Sequence, residues 1–268
     1  MKKNLLFILF FVNVSILHAQ NITGILGAFP PELVLLQSKM EHKKDTLIGQ
    51  MRFTKGTLNG KNVVLAQTGI GKVNAAIATT LMLEHFKPKE IVFSGIAGGI
   101  DPTLFPGDIV IGTQVTYHDY GAIEDGGMQY TPTRNPFNMQ ANPVVFNCDS
   151  LLVQKAVSVS DGLTFTKIKR ETGDFSPAVK KGIIVTGDVF VSSAVATERL
   201  RKDLNAAATE MEGAAVAQTC FQQNTPFLII RSLSDNANNK ARNDMQAFYK
   251  IAAENAAILV MAVVGSLH

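Results

Sequence analysis

Residues 72–99 read KVNAAIATTLMLEHFKPKEIVFSGIAGG, and the two halves of this stretch decide the fold. The first half spaces its apolar side chains at helical intervals and stops before Pro88, since a proline disfavours helix in the residue ahead of it. The second half, EIVFSGIAGG (90–99), is a short apolar run that ends in small residues and reads as a buried strand. The same alternation continues on both sides. NITGILGAF (21–29) reads as a first strand, and PELVLLQSKM (31–40) as a helix with Pro30 and Pro31 at its start. MRFTKGTLNGKNVVLAQTG (51–69) reads as a hairpin turning at Asn59 and Gly60. GDIVIGTQVTYHD (107–119), KGIIVTGDVFVS (181–192) and PFLIIRSLSD (226–235) are further strands, while GAAVAQTCFQQN (213–224) and FYKIAAENAAILVMAVVGSL (248–267) are helices. Strands rich in Ile and Val, interleaved with helices, predict an α/β fold with helices on the faces of its sheet.

The chain has 268 residues, 46% hydrophobic and 18% charged, enough for one domain with a sizeable core. Its first nineteen residues read as a cleavable leader. Lys2 and Lys3 precede an apolar run from Leu5 to Val12, and Ala19 stands at a suitable cleavage point. The run is broken by Asn13 and falls short of the ~20 apolar residues a membrane span needs. A secreted or periplasmic protein is therefore expected, with residues 1–19 as signal peptide, 20–268 as the domain and no stable membrane insertion after cleavage. Loss of Lys2 and Lys3 takes the 25 basic residues to 23 against 22 acidic, which gives no electrostatic argument for nucleic acid. Cys148 and Cys220 are the only cysteines, free to pair in an oxidising compartment, and no Cys/His spacing suggests a metal. Residues 121–143, rich in Gly, Pro, Asn and Thr, form a connection long enough to be a functional lid or a mobile loop.

In open α/β sheets, ligands gather beyond the carboxyl ends of the strands. That rule nominates GAFPPE (27–32), SGIAGG (94–99), TGDVFV (186–191), TEMEG (209–213) and RSLSD (231–235). If a strand runs from Ala206 to Met211, Glu210 and Glu212 share one of its faces. Each candidate also has an ordinary explanation. Glu212 at a helix head complements the helix dipole, worth ~0.3–1 kcal/mol. Asp235 suits an N-cap, Glu32 a first helical turn, and His118 with Asp119 a plain loop. The glycine clusters match neither a dinucleotide fingerprint nor a P-loop.

Taken together and in order, GILGAFPPELVLL, TGIGKVNAA, SGIAGG, GDIVI, YHD, TGDVFV, TEMEGAAVAQ and RSLSDNA resemble the 5′-methylthioadenosine/S-adenosylhomocysteine nucleosidases, within the superfamily of nucleoside phosphorylases. The likeness spans nearly all of residues 22–265, and EMEGAA followed by RSLSD is its most specific pair. It implies a three-layer α/β/α domain with a twisted, mixed central sheet, and hydrolysis of the N-glycosidic bond of 5′-substituted adenine nucleosides without a cofactor. In this pattern Asp235 matches the acid that protonates N7 of adenine, with Ser234 orienting it. Glu32 matches the residue that activates water, beside Arg231, and Glu212 the carboxylate that binds the ribose hydroxyls. Met211 packs on the ribose, Phe190 stacks on adenine, and Val191 offers its backbone to the purine edge. The resemblance also implies a homodimer, with one subunit's long loop closing the other's pocket.

Three features depart from the pattern. They are the leader, the long connection at 121–143, and Ile96, where many nucleosidases carry Ser or Thr, so that either Ser94 or backbone groups compensate or the activity is altered. A phosphorylase is the first alternative, disfavoured because Glu32 would repel phosphate. A non-catalytic nucleoside-binding or storage protein is the second, since a fold alone does not establish activity.

Overall fold

The computed structural model describes residues 21–170 and 173–267. The leader assigned to residues 1–19 lies outside them. In chain order the elements are β1 (Ile22–Gly27), α1 (Pro30–Lys39), β2 (Glu41–Ile48), β3 (Met51–Leu58), β4 (Lys61–Gln67), α2 (Lys72–Phe86), β5 (Glu90–Gly99) and β6 (Ile109–Tyr117). There follow β7 (Gly121–Glu124), β8 (Gly127–Tyr130), β9 (Val145–Asn147), α3 (Ser150–Ser160), β10 (Ile168–Arg170), β11 (Gly173–Phe175) and β12 (Val179–Thr186). The last are α4 (Ala194–Leu204), β13 (Ala206–Glu210), α5 (Gly213–Gln222), β14 (Phe227–Asp235) and α6 (Ala241–Ser266).

The main sheet runs β13-β12-β6-β14-β5-β1-β4-β3-β2, with β9 added to β6. It is mixed: β14 lies parallel to β5 but antiparallel to β6. One end curls until β13 also pairs with β5, Ala208 opposite Gly99 and Thr209 opposite Gly98. Five strands thereby form a closed ring, and the carboxyl ends of β5, β13 and β14 converge. The central strands are apolar on both faces: Ile91, Val92, Phe93, Leu228, Ile229 and Ile230 are all fully buried. Helices α1, α3 and α6 pack together, and α2 packs on α5. This is the expected three-layer α/β/α arrangement.

The expected hairpin is β3 and β4, turning through Asn59 (φ 50°) and Gly60 (φ 74°). Residues 121–143 differ from a structureless lid. They hold the β7–β8 hairpin and a bridge between Arg134 and Ala141, and buried Asn142 donates to the Thr133 hydroxyl at 2.9 Å. Both cysteines are buried free thiols.

The expectation of a secreted or periplasmic protein does not stand. The described residues form a globular α/β fold, and the single helix among them that is apolar and long enough to cross a bilayer is Ala241–Ser266, near the C-terminus and half buried in the core.

Candidate active site

Glu32 sits in the first turn of α1, as its prolines predict, yet its carboxylate is buried and points towards the sheet. It accepts the backbone N–H groups of Ala28, of Phe29 at 3.3 Å and of Ile96 at 2.9 Å. The Phe29 contact is the ordinary helix-capping interaction; the Ile96 contact joins α1 to β5. Ser94 is fully buried, and its hydroxyl has no hydrogen-bond partner among the described residues. Burial pushes the Glu32 carboxyl up to about 6, against the opposing pull of Arg231 and the three amides.

Arg231, on β14, is 1% exposed. Its guanidinium does not bond Glu32. It pairs with Glu210 at the end of β13, Nη2 to Oε2 at 2.6 Å and Nε to the same oxygen at 3.2 Å, and lies 4.0 Å from the centre of the Phe93 ring. Glu210 also accepts the Thr186 hydroxyl and the Gly213 N–H at 2.8 Å. One carboxylate therefore neutralises the buried arginine and holds the amino end of α5.

Glu210 and Glu212 do not share a strand face, because β13 ends at Glu210. Glu212 follows in the N-cap position of α5 but makes no capping bond with its side chain. It reaches instead to the glycine turn before α2, accepting the Gly71 N–H at 2.9 Å. The Glu212 carboxyl is raised well above the usual range, by burial first and then by the charge of Glu210. Met211 lies between the two acids and is half-buried.

Asp235 closes β14, where a bulge opposite Ala97 and Gly98 turns the chain. It is 1% exposed and accepts the Ser234 hydroxyl and the Ala237 N–H, both at 2.8 Å. Burial raises its carboxyl to about 6. The segment carrying Phe190 and Val191 is tied to the turn after Asp235: Ser193 N donates to Ala237 O at 3.0 Å, and the Ser192 hydroxyl to Asn238 O at 3.1 Å. Val191 packs against a small cluster that includes Ala237 and Ile100. Phe190 is 37% exposed, with the Arg242 guanidinium 5.1 Å from its ring centre.

The glycines of SGIAGG make room for acids. A Cβ at Gly95 would stand 2.7 Å from Glu32 Oε1 and 2.9 Å from Arg231 Nη1, and one at Gly98 would stand 2.9 Å from Asp235 Oδ1. A strand without side chains at these two positions lets three buried polar groups approach its surface.

All nine sequence-derived candidates thus lie along the converging strand ends. Glu32, Arg231, Glu212 and Met211 gather at one end of the site; Asp235, Ser234, Phe190 and Val191 gather at the other; and Ile96 links them along β5. Sequence reasoning leaves Glu210 a supporting or structural role without identifying its partner, which lies 21 residues away.

Comparison with known proteins agrees with this geometry. The family model described as "Phosphorylase superfamily" matches residues 22–265. A 5′-methylthioadenosine/S-adenosylhomocysteine nucleosidase of Psychromonas ingrahamii is 39% identical over 246 residues, covering 91% of this chain and 99% of the relative. The crystal structure of the Neisseria meningitidis nucleosidase in complex with methylthio-immucillin-A has a TM-score of 0.80 and 38% identity, covering 92% of this chain and 100% of that one. Futalosine hydrolase of Helicobacter pylori has a TM-score of 0.78 at 28% identity, covering 93% of this chain and 100% of that one. The chain belongs to the phosphorylase superfamily, in its family of 5′-methylthioadenosine/S-adenosylhomocysteine nucleosidases.

Proposed function

We propose that this chain hydrolyses the N-glycosidic bond of 5′-methylthioadenosine and S-adenosylhomocysteine, releasing adenine and the 5-substituted ribose. The observation that carries hydrolysis over phosphorolysis is the charge of the site. Three buried glutamates, Glu32, Glu210 and Glu212, stand around Arg231, and that arginine is already paired with Glu210. Such a site repels phosphate and suits a sugar that becomes cationic as the bond breaks.

In the proposed mechanism Asp235 gives a proton to N7, so that adenine leaves neutral. Its raised pKa keeps that proton available closer to neutrality than an ordinary aspartate would. Glu32 holds and deprotonates the water that attacks C1′, which requires its ionised form. Glu212 accepts the ribose hydroxyls, Met211 packs on the sugar, Phe190 stacks on the base, and Val191 meets the purine edge with its backbone. Ser234 orients Asp235. Arg231 acts through Glu210 and through its field on Glu32. No cofactor enters this chemistry.

The working unit is a homodimer of the domain that runs through residues 20–268. Exposed Ile70, Val73 and Ile77 around α2, with Ile123, Phe137 and Met139 in residues 121–143, support that assembly, being apolar side chains left uncovered.

The test is a chromatographic assay of adenine release from 5′-methylthioadenosine, S-adenosylhomocysteine and futalosine, each with and without phosphate. Equal release with and without phosphate is expected, strongest on the first two. A rate that appears only with phosphate would contradict the reading.

A further inference from the structure

Glu212 owes its position to a turn that is itself held from behind. Gly71, at φ 98°, presents its N–H to Glu212, and the next residue, Lys72, opens α2. The backbone N–H of Lys72 donates to Asp188 Oδ1 at 2.8 Å. The Lys72 ammonium contacts both oxygens of Asp119 at 2.7 Å and lies 3.7 Å from Asp188 Oδ2. Asp119 in turn accepts the backbone N–H of Asp188 at 2.8 Å. Three separate segments, the end of β6, the loop after β12 and the start of α2, are thus locked to one another directly beside the residue that grips Glu212. The amino end of α2 has no side-chain cap of its own; Glu212 and Asp188 supply the carboxylates that its first amides and dipole favour.

We propose that Lys72, Asp119 and Asp188 form a clasp that positions Glu212 through the backbone of Gly71, making them positioning residues for the hydrolysis. The proposal rests on the reading of Glu212 as the ribose-binding carboxylate. The charged groups facing Glu212 are Glu210 from β13, Arg231 from β14 and Glu32 from α1. Half-buried Tyr117, the last residue of β6, and buried His118 just after it flank the clasp. Among the groups that favour ionised Glu212, after the charge of Arg231, is the N–H of Gly71. If the clasp opens, that amide drifts from the carboxylate, the carboxylate ionises only at higher pH, and its grip on ribose weakens.

The experiment is the pH profile of kcat/KM for 5′-methylthioadenosine with the full chain carrying Asp119→Asn, Asp119→Glu, Lys72→Met or Glu212→Gln. In Asp119→Asn the plateau is expected to fall about tenfold and the acid limb to move up by about half a unit or more, with Asp119→Glu recovering most of both. Lys72→Met is expected to shift the limb in the same direction and serves if Asp119→Asn does not fold. A limb that stays in place, whether the profile is lowered uniformly or unchanged, overturns the clasp. The underlying reading fails separately: Glu212→Gln retaining the wild-type limb and rate would remove Glu212 from the site, whereas loss of rate in Glu212→Gln with an unmoved limb in Asp119→Asn would overturn the clasp alone.

Discussion

At Asp235, burial works for the reaction and against the fold. The folded protein binds this proton more tightly than the unfolded chain, with a pKa of about 6 against an ordinary 3.8. The stabilisation that follows is complete below the ordinary value and is lost as pH rises through about 6. Asp235→Asn removes the buried charge and keeps both contacts, because an amide can accept from Ala237 N–H and donate to Ser234. We therefore expect this variant to abolish adenine release while gaining about 1–3 kcal/mol of stability at pH 7, a Tm rise of several degrees by calorimetry. A variant as active as wild type would remove the acid role. With Asp235 needed protonated and Glu32 and Glu212 needed ionised, kcat/KM should be bell-shaped, its acid limb set by the two glutamates and its alkaline limb by Asp235. Gly95→Ala brings a methyl group against Glu32 and Arg231. Its hydrolysis should fall by about 10²-fold or more, since small misplacements of catalytic groups carry large penalties; near-normal turnover would show that the Glu32 position is not critical. The acids Glu32, Glu212 and Asp235 were legible in the sequence because each closes or follows a strand within a recognisable series of motifs. The purpose of Gly95 and Gly98 was not, because it depends on side chains that arrive from α1 and β14.

Among the elements, the junction of β13 and α5 depends on the ion pair between Glu210 and Arg231. Removing one member of such a buried pair leaves a charge without compensation, at a cost of about 3–5 kcal/mol. Glu210→Ala should therefore lower the unfolding free energy measured by denaturant by that amount while also impairing catalysis, and a stability within about 1 kcal/mol of wild type would contradict the structural part assigned to it. The sequence hid this pair: an arginine on a buried strand and a glutamate before a helix look independent until the sheet curls and brings β13 against β5. Local signals were enough elsewhere. Asn59-Gly60 announced the β3–β4 hairpin, and the prolines at 30 and 31 announced α1. Edge strand β2 escaped notice because Glu41, His42, Lys43, Lys44 and Asp45 are all exposed and carry no alternating apolar face. Helix α4, with Leu200 as its only buried side chain, gives an equally faint apolar signal. Residues 121–143 hold short strands that turn composition alone conceals.

For the whole molecule, the α/β class followed from alternation of strand and helix, whereas the closure of five strands into a ring did not, since 108 residues separate Gly99 of β5 from its partner Ala208 in β13. Assembly belongs to this scale as well. Uncovered apolar residues around α2 and in residues 121–143 predict a stable dimer by light scattering at assay concentrations, and an active dilute monomer would refute it. The central claim is that water, not phosphate, takes the ribosyl group from adenine. The most direct test is turnover of 5′-methylthioadenosine in ¹⁸O-labelled water with saturating phosphate present, read by mass spectrometry of the sugar at early times and corrected for exchange. The account predicts free adenine and a 5-methylthioribose that acquires one ¹⁸O at C1, with no sugar 1-phosphate. A 5-methylthioribose 1-phosphate product would contradict it.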